Sequence, residues 1–208
     1  MGLLKEFLSD TTRAKHRFVD ALGDYSLSVE TKGRIEPFEL DLPEHSLASS
    51  RAYQAAPYLI LRSIFVALKK IKAPQETFLD IGCGKGRALL MAHRWGYKNL
   101  LGLDLSGRMI SNASQNLAKK GIFHARLKVA DAVNFQYPSG DSVFFLNNPF
   151  DGNILRPVVT ALKEQSSPES VFVYLNPLRE HLFQQLGFKK VYEIDSFNHN
   201  YKSSFFRL

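Results

Sequence analysis

The segment Phe78–Arg87, with the sequence Phe-Leu-Asp-Ile-Gly-Cys-Gly-Lys-Gly-Arg, strongly constrains how this chain of 208 residues folds. A short apolar run ends in three alternating glycines, and an apolar pattern of helical spacing follows over residues 87–95. Glycines allow a tight turn and a close approach of the backbone to a ligand, while a helix N-terminus presents unpaired N–H groups. The segment therefore predicts a strand, a ligand-binding turn and a helix.

Strand-like and helix-like segments alternate from Thr77 onward. The predicted strands cover 77–81, 99–104, 126–130, 142–147 and 171–175, and the predicted helices cover 87–95, 106–120, 154–165 and 178–186. Continuous apolar strands separated by helices are typical of a parallel sheet that is covered on both faces. Two final strands, 191–194 and 203–207, are joined by too few residues for a helical crossover, so they should pair antiparallel.

The first 76 residues follow a different pattern. A helical apolar spacing covers residues 3–22, an irregular segment with prolines at 37 and 43 covers 23–50, and an amphipathic helix covers 57–72. We therefore expect two parts: residues 1–76 form a helical and irregular extension with a lid, and residues 77–208 form the ligand-binding domain.

Composition excludes several classes of protein. With 45% hydrophobic and 23% charged residues, the chain has enough apolar material for a core and is not disordered as a whole. The single cysteine, Cys83, excludes a disulfide framework, and the six histidines lack the spacing of metal ligands. Charges near the start and within every long apolar run argue against a signal peptide and a membrane span. We therefore predict a cytoplasmic protein. The net charge of +7 favours a polyanionic partner or simply reflects a solvated basic surface.

The glycine spacing distinguishes between two types of nucleotide-binding loop. The dinucleotide fingerprint G-x-G-x-x-G would place its third glycine at 87, where this chain has Arg87. Glycines at 82, 84 and 86, with Asp80 two residues before the first of them, resemble the first motif of class I S-adenosylmethionine-dependent methyltransferases. The resemblance covers residues 77–208. It implies a three-layer α/β Rossmann-like fold with a mostly parallel seven-stranded sheet, an antiparallel last strand and, here, an N-terminal helical extension.

The same resemblance assigns cofactor contacts for S-adenosyl-L-methionine. It implies that Asp80 accepts from the cofactor ammonium and that Asp104, at the end of the second strand, accepts from both ribose hydroxyls. Asp131, after the third strand, would lie beside the adenine amine, although an aspartate there is also an ordinary turn residue. The other residues implied by these motifs are Gly82, Cys83, Gly84, Gly86, Leu105 and Ala132. Cys83 could be a thiol activated by the helix N-terminus, but we favour an inert side chain.

A fourth motif, Phe144–Phe150, resembles the Asn/Asp-Pro-Pro-Tyr/Phe loop of N-methyltransferases. The resemblance implies that Asn147 accepts a hydrogen bond from the target amine and also borders the cofactor, and that Phe150 stacks on a planar acceptor. Core packing is an equally acceptable role for Phe150. Asn148 departs from the motif, because it stands where the family has its first proline. Asn176-Pro177, after the fifth strand, should face the same pocket.

A lid segment, residues 49–57, precedes the amphipathic helix. Tyr53 and Arg51 could reach the cofactor carboxylate or the substrate from it, although both could instead belong to an ordinary helix-initiating turn. The predicted function is N-methylation of an acceptor whose class (protein, nucleic acid or small amine) is open. The alternatives are a non-catalytic module that binds the same cofactor and an aminopropyltransferase, for which the fourth motif offers only Asp151 as an extra acid.

Overall fold

The computed structural model describes residues 2–47, 50–195 and 201–208, and elements are named within those ranges. The helices are α1 (Gly2–Leu27), α2 (Glu44–Leu47), α3 (Tyr58–Lys70), α4 (Arg87–Arg94), α5 (Gly107–Ala118), α6 (Gly152–Gln165) and α7 (Glu180–Gln185). The strands are β1 (Arg34–Ile35), β2 (Tyr53–Gln54), β3 (Thr77–Ile81), β4 (Asn99–Asp104), β5 (Arg126–Val129), β6 (Ser142–Asn147), β7 (Val171–Leu175), β8 (Lys189–Ile194) and β9 (Ser203–Arg207). Most of the predicted connection between the last two strands, residues 196–200, lies outside the described residues.

Seven strands form one sheet in the order β5-β4-β3-β6-β7-β9-β8. The pairs from β5 to β7 are parallel, and β9 pairs antiparallel with both β7 and β8. The strand order reverses at β3, which lies between β4 and β6. In open α/β sheets, ligands bind beyond the carboxyl ends of the strands at such a switch point.

Apolar side chains cover both faces of the sheet and create three layers. On one face, Leu61 and Phe65 of α3 belong to the same buried cluster as Phe78 and Phe145 of the sheet. On the other face, helices α6 and α7 form a second cluster with alternate strand residues such as Phe144 and Phe172. The alternation follows from the period of two along each strand. The predicted α/β class, the seven-stranded sheet and the antiparallel last strand are confirmed.

The end of α1 differs from the sequence expectation, which ended this helix before Gly23. The helix continues to Leu27, and Ser28, at φ 54°, ends it with the Val29 N–H bonded to the Asp24 carbonyl at 3.0 Å. Gly23 serves packing instead, because a Cβ there would come within 2.6 Å of the Tyr58 ring. Helix α7 also begins two residues later than expected.

The described part of residues 1–76 lies against the sheet domain, because α3 contacts α4 and β8. Helix α1 contacts α3, and β1 pairs antiparallel with β2 to form a short ribbon. The division into an extension of residues 1–76 and a domain of residues 77–208 stays a prediction. Within the described ranges, no helix combines the length and the apolar character needed to cross a membrane.

Candidate functional site

A cavity of about 200 Å³ lies at the carboxyl ends of β3, β4, β5 and β6. Its cover consists of residues 40–47 and 50–56, which we call the strap. Most of the predicted site residues line it, namely Tyr53, Asp80, Gly82, Cys83, Asp104, Leu105, Asp131, Ala132, Asn147 and Phe150. Gly84 and Gly86 do not line it. Their contact with a cofactor stays a prediction, as do the cofactor contacts of the residues that line the cavity.

Asp80 is a buried carboxylate at the end of β3, with only 3% of its surface exposed. Burial and the nearby negative charge of Asp104 raise its pKa well above the ordinary value. No residue in the described part of the chain donates a hydrogen bond to it. A buried acid without a donor is costly, and a cation in the cavity would relieve that cost.

Asp104 holds the glycine turn to the end of the neighbouring strand β4. Its Oδ2 accepts from the Gly84 N–H at 2.9 Å and its Oδ1 accepts from the Ser106 N–H at 3.0 Å. Burial raises the pKa of Asp104, and these two donors oppose the rise. Each carboxylate oxygen keeps further acceptor capacity for a ligand.

Asp131 has a local role as well as a place in the cavity wall. Its two oxygens accept from the Val133 N–H at 2.9 Å and from Asn134 Nδ2 at 3.1 Å. The turn role that the sequence left open is therefore present. Ala132 is buried beside it, and the Ala132 carbonyl accepts from the Tyr137 hydroxyl at 2.6 Å.

The turn glycines serve different packing needs. A Cβ at Gly84 would lie 2.2 Å from the Tyr53 ring, so the absence of a side chain lets the strap lie directly on the turn. At Gly86 it would meet Ala113 of α5 at 3.2 Å, so this glycine allows α4 and α5 to approach. At Gly82 it would meet Pro149 at 2.8 Å, which fixes the loop after β6 against the glycine turn.

Cys83 is buried, and its sulfur lies 3.0 Å from the position that a Cβ on Gly102 would occupy. Burial, together with the charges of Asp104 and Asp80, raises the pKa of the thiol well above its ordinary value. Such a thiol is not a nucleophile at neutral pH, because the thiolate is the reactive form. These observations favour the inert interpretation.

Asn147 is held on both sides of its carboxamide. Its Nδ2 donates to the Gln54 carbonyl of the strap at 3.0 Å, and its Oδ1 accepts from Asn176 Nδ2 at 3.2 Å. Asn176 follows β7, as the sequence suggested, and takes φ 53°. The second lone pair of Asn147 Oδ1 can accept a hydrogen bond from an N–H or O–H donor of a ligand.

The loop after β6 is not an Asn-Pro-Pro-Phe loop. Asn148 has φ 43°, a left-handed conformation that proline cannot adopt, and its Oδ1 accepts from the Tyr174 hydroxyl at 2.8 Å. Phe150 forms an isolated bridge with Ser50 of the strap and packs against the core beneath α6. Phe150 therefore combines a place in the cavity wall with the packing role left open by the sequence.

A buried polar network that the sequence did not reveal fixes the extension to the glycine turn. Arg87, 3% exposed, pairs with Asp20 at 2.9 Å and Asp24 at 3.4 Å. Its Nε donates to Thr31 Oγ1 at 2.6 Å, and its guanidinium lies 4.4 Å from the centre of the Tyr58 ring. Asp20 and Asp24, four residues apart on α1, share one helix face. This spacing is a local signal for a pair of acids on one face, but it does not identify Arg87 as their partner.

Two further contacts fasten the strap. The Tyr53 hydroxyl donates to the Thr31 carbonyl at 2.5 Å, and burial raises the pKa of Tyr53 far above its ordinary range. Asp41 accepts from the Ser106 hydroxyl and from the Arg108 N–H at the start of α5. No three His, Cys, Asp or Glu side chains within the described ranges are grouped to hold a metal ion.

Comparisons with known proteins agree with this geometry. A family profile described as a methyltransferase domain matches residues 78–165, which include the glycine turn, Asp104, Asp131 and Asn147. Residues 78–165 match a methyltransferase domain, and the fold around them is the Rossmann-like methyltransferase fold. Among solved structures, this domain is similar to a ribosomal protein L11 methylase from Lactobacillus delbrueckii subsp. bulgaricus (TM-score 0.59, 16% identity, 73% of this chain and 79% of that one). At this identity the likeness shows the fold alone.

Curated relatives of the methyltransferase domain match over shorter stretches. A ribosomal protein L11 methyltransferase from Desulfosudis oleivorans is 32% identical over 100 residues, 47% of this chain and 31% of the relative. The human EEF1A lysine methyltransferase 2 is 32% identical over 92 residues, 43% of this chain and 39% of the relative. The matched region is therefore about a third of the length of these relatives.

The Asp80 carboxyl should lower the stability of the methyltransferase domain at neutral pH. Its folded pKa lies above the ordinary value near 3.9, so its favourable contribution is complete below pH of about 4 and is lost as the pH rises through the folded pKa. We expect Asp80→Asn to raise the free energy of unfolding at pH 7 by about 1–3 kcal/mol and to flatten its dependence on pH. Urea unfolding at pH 4.5 and pH 7 measures both effects.

The matched control is Asp151→Asn, because Asp151 caps α6 by accepting from the Asn153 and Ile154 N–H groups, and asparagine caps helices about as well. This variant should leave stability nearly unchanged at both pH values. An Asp80→Asn variant that is less stable than the parent at pH 7 would show that the carboxylate has a partner that holds it ionised.

Proposed function

We propose that this chain is a methyltransferase that transfers the methyl group of S-adenosyl-L-methionine to a nitrogen acceptor. The observation that carries the proposal is the cavity that brings four strand ends together at the switch point of the sheet. There Asp80, Asp104 and Asp131, from the ends of three strands, face the same space as Asn147 from a fourth. The family match over residues 78–165 supports it.

The residues present fit the cofactor. Asp80, a buried carboxylate without a donor in the described part of the chain, suits the ammonium of the amino acid moiety. Asp104 offers acceptor capacity to the two ribose hydroxyls, and Asp131 with Ala132 would border the adenine. When bound, the sulfonium supplies an activated methyl group, and the task of the protein is to align the acceptor and exclude water.

Asn147 is the residue proposed to orient the acceptor nitrogen. Because Gln54 and Asn176 fix its carboxamide, the Oδ1 presents a lone pair in a defined direction toward an amine. A hydrogen bond there directs the nitrogen lone pair, and Phe150 in the same wall offers an aromatic contact. Nitrogen as the acceptor atom also agrees with a relative named as a lysine methyltransferase.

The alternatives receive less support. An aminopropyltransferase would need further acids for a polyamine, but Asp151 is engaged in capping α6. A non-catalytic module would bind the cofactor without needing the fixed carboxamide of Asn147. A polyanionic partner remains a proposal from the net charge of +7, and a cytoplasmic location from the lack of any disulfide that calls for an oxidising compartment.

Asp104→Ala should weaken S-adenosyl-L-methionine binding, because a charged hydrogen bond to a hydroxyl contributes on the order of 1.5–3 kcal/mol. Isothermal titration with this cofactor and with S-adenosylhomocysteine measures the loss. Asp104→Asn, which keeps one acceptor oxygen, should lose less. Asp141→Ala is the control, since exposed Asp141 accepts from the Ser167 hydroxyl and does not line the cavity. Unchanged affinity in Asp104→Ala would remove this residue from the proposed site.

Methyl transfer itself is tested with labelled S-adenosyl-L-methionine against RNA, DNA, protein extract and small amines, with S-adenosylhomocysteine as the measured product. Product that depends on the acceptor supports an enzyme. Binding of the cofactor without product from any of these acceptors would support the non-catalytic module instead.

A further inference from the structure

A second cavity of about 200 Å³ also borders Asn147. It shares a wall with the first cavity, formed by strap residues 51, 52 and 54–56 and by Asn147 and Asn148. Its remaining wall comes from Arg34, Asn176, Pro57 and Tyr201. An acceptor in this second cavity and a methyl donor in the first would meet beside Asn147.

The charged side chains in the wall of the second cavity all have one sign. The described residues that line it include two arginines, Arg34 and Arg51, and no carboxylate. Arg34 is paired with Glu36 at 2.6 Å. Arg51 is exposed, and it has no ion-pair partner within the described ranges. The cavity therefore carries an uncompensated positive charge on the wall that it shares with the first cavity.

Two further observations place that charge beside the loop after β6. Burial raises the pKa of Tyr174 to about 12, and the positive charges of Arg179 and Arg51 oppose the rise. Tyr174 donates to Asn148 Oδ1, while the Nδ2 of Asn148 donates to no described residue. A guanidinium and a free amide N–H on the same wall together suit an oxyanion.

We propose that the second cavity binds a small amine that carries a carboxylate or phosphate group close to the methyl-accepting nitrogen, with Arg51 as the principal contact of that acidic group. This inference rests on the proposed function and names its substrate class. The nitrogen first loses its proton to water. It then forms the new N–C bond while the C–S bond of the sulfonium breaks, and that electron pair stays on sulfur. An acceptor that is cationic as a whole, such as a lysine side chain, would meet the like charge of Arg51.

The test is direct binding to the protein saturated with S-adenosylhomocysteine, measured by saturation-transfer NMR. The probes are glycine for the carboxylate and O-phosphoethanolamine for the phosphate. Ethanolamine, which has an uncharged hydroxyl in place of the acidic group, is the control. We expect at least one acidic probe to bind roughly tenfold or more tightly than ethanolamine. Comparing the affinities of glycine and O-phosphoethanolamine identifies whether the cavity prefers a carboxylate or a phosphate.

Variants assign the preference to Arg51. Arg51→Gln should abolish the advantage of the acidic probe, Arg51→Lys should keep part of it, and Arg62→Gln, at an exposed arginine outside both cavities, should keep all of it. The affinity for S-adenosylhomocysteine should stay within about twofold of the parent in all three. A loss of that affinity in Arg51→Gln would instead assign Arg51 to the cofactor.

Failure of this inference and failure of the proposed function give different results. If S-adenosylhomocysteine binds but the acidic probes bind no better than ethanolamine, the inference is wrong and the proposed function stands. If a lysine-containing peptide is methylated at equal rates by the parent and by Arg51→Gln, the acceptor is not acidic. If neither S-adenosylhomocysteine nor S-adenosyl-L-methionine binds, the proposed function itself fails.

Discussion

Arg87→Met should lower the free energy of unfolding by about 3–5 kcal/mol, the range measured when one partner of a buried ion pair is removed. The guanidinium satisfies Asp20 and Asp24 of α1, Thr31 and the Ala56 carbonyl. Methionine fills a similar volume but leaves the buried Asp24 without its cation. Chemical unfolding followed by circular dichroism measures the loss. Arg94→Met, at an exposed position on the same helix, is the control and should change stability by no more than about 0.5 kcal/mol.

The loss of unfolding free energy in Arg87→Met should become smaller as the pH falls. Burial raises the pKa of Asp24, but donors from Thr31 and Lys32 and the charge of Arg87 outweigh it, so the folded pKa lies below the ordinary value. Its contribution is therefore present above pH of about 4 and is lost as the pH falls through the folded pKa. The difference between Arg87→Met and the parent should shrink on acidification. A difference below about 1 kcal/mol at pH 7 would show that the network does not hold the extension.

The sheet domain could be predicted from the sequence because its signals are local. The four central strands β3, β4, β6 and β7 are largely apolar runs, and the helices that follow them have apolar positions three and four residues apart. The period therefore identifies each element before any tertiary contact is known. Asp80, Asp104 and Asp131 were assigned through the family resemblance, and they line one cavity because the carboxyl ends of parallel strands meet at one edge of the sheet. Asn147 and Asn176 meet there for the same reason, at the ends of β6 and β7.

The strap and its attachment could not be predicted, because they depend on contacts between distant residues. Arg87 lies 63 residues from Asp24 and 31 from Ala56, and no local pattern joins them. In the sequence, Arg87 stands out only as the residue that breaks a dinucleotide fingerprint. The predicted end of α1 before Gly23 is wrong, because in sequence a glycine that makes room for an aromatic ring resembles a glycine that ends a helix.

Asn148 illustrates how a departure from a motif can carry information. Compared with the proline of the family motif, asparagine restores a backbone N–H and loosens the backbone. From the sequence alone, this difference only weakens the match to the motif. The structure gives a positive reason, a left-handed φ of 43° that asparagine tolerates better than most residues. Together with Asn176 at φ 53°, it places two unusual conformations at neighbouring strand ends, where strained backbone often accompanies function.

Asn147→Ala should reduce turnover far more than cofactor affinity. Its Oδ1 hydrogen bond strengthens as the nitrogen attacks, so its loss falls on the transition state. By analogy with a missing oxyanion-hole donor, the barrier should rise by about 2.7–4 kcal/mol, roughly a hundred- to a thousandfold in kcat. The measurement combines isothermal titration of S-adenosyl-L-methionine with turnover of whichever amine, glycine or O-phosphoethanolamine, is the better acceptor in the labelled assay.

Asn176→Ala separates orientation of the acceptor from attachment of the strap. It removes the donor to Asn147 Oδ1 at 3.2 Å but leaves the bond from Asn147 Nδ2 to the Gln54 carbonyl, so the strap stays attached while the carboxamide is less constrained. We expect a smaller fall in kcat, of about 0.5–1.5 kcal/mol in barrier, with cofactor affinity unchanged. For Asn147→Ala, equal losses of cofactor affinity and turnover would instead assign Asn147 to the cofactor site. If Asn147→Ala changes neither cofactor affinity nor turnover, the acceptor is held elsewhere, and Tyr53 or the Asn176-Pro177 turn becomes the better candidate.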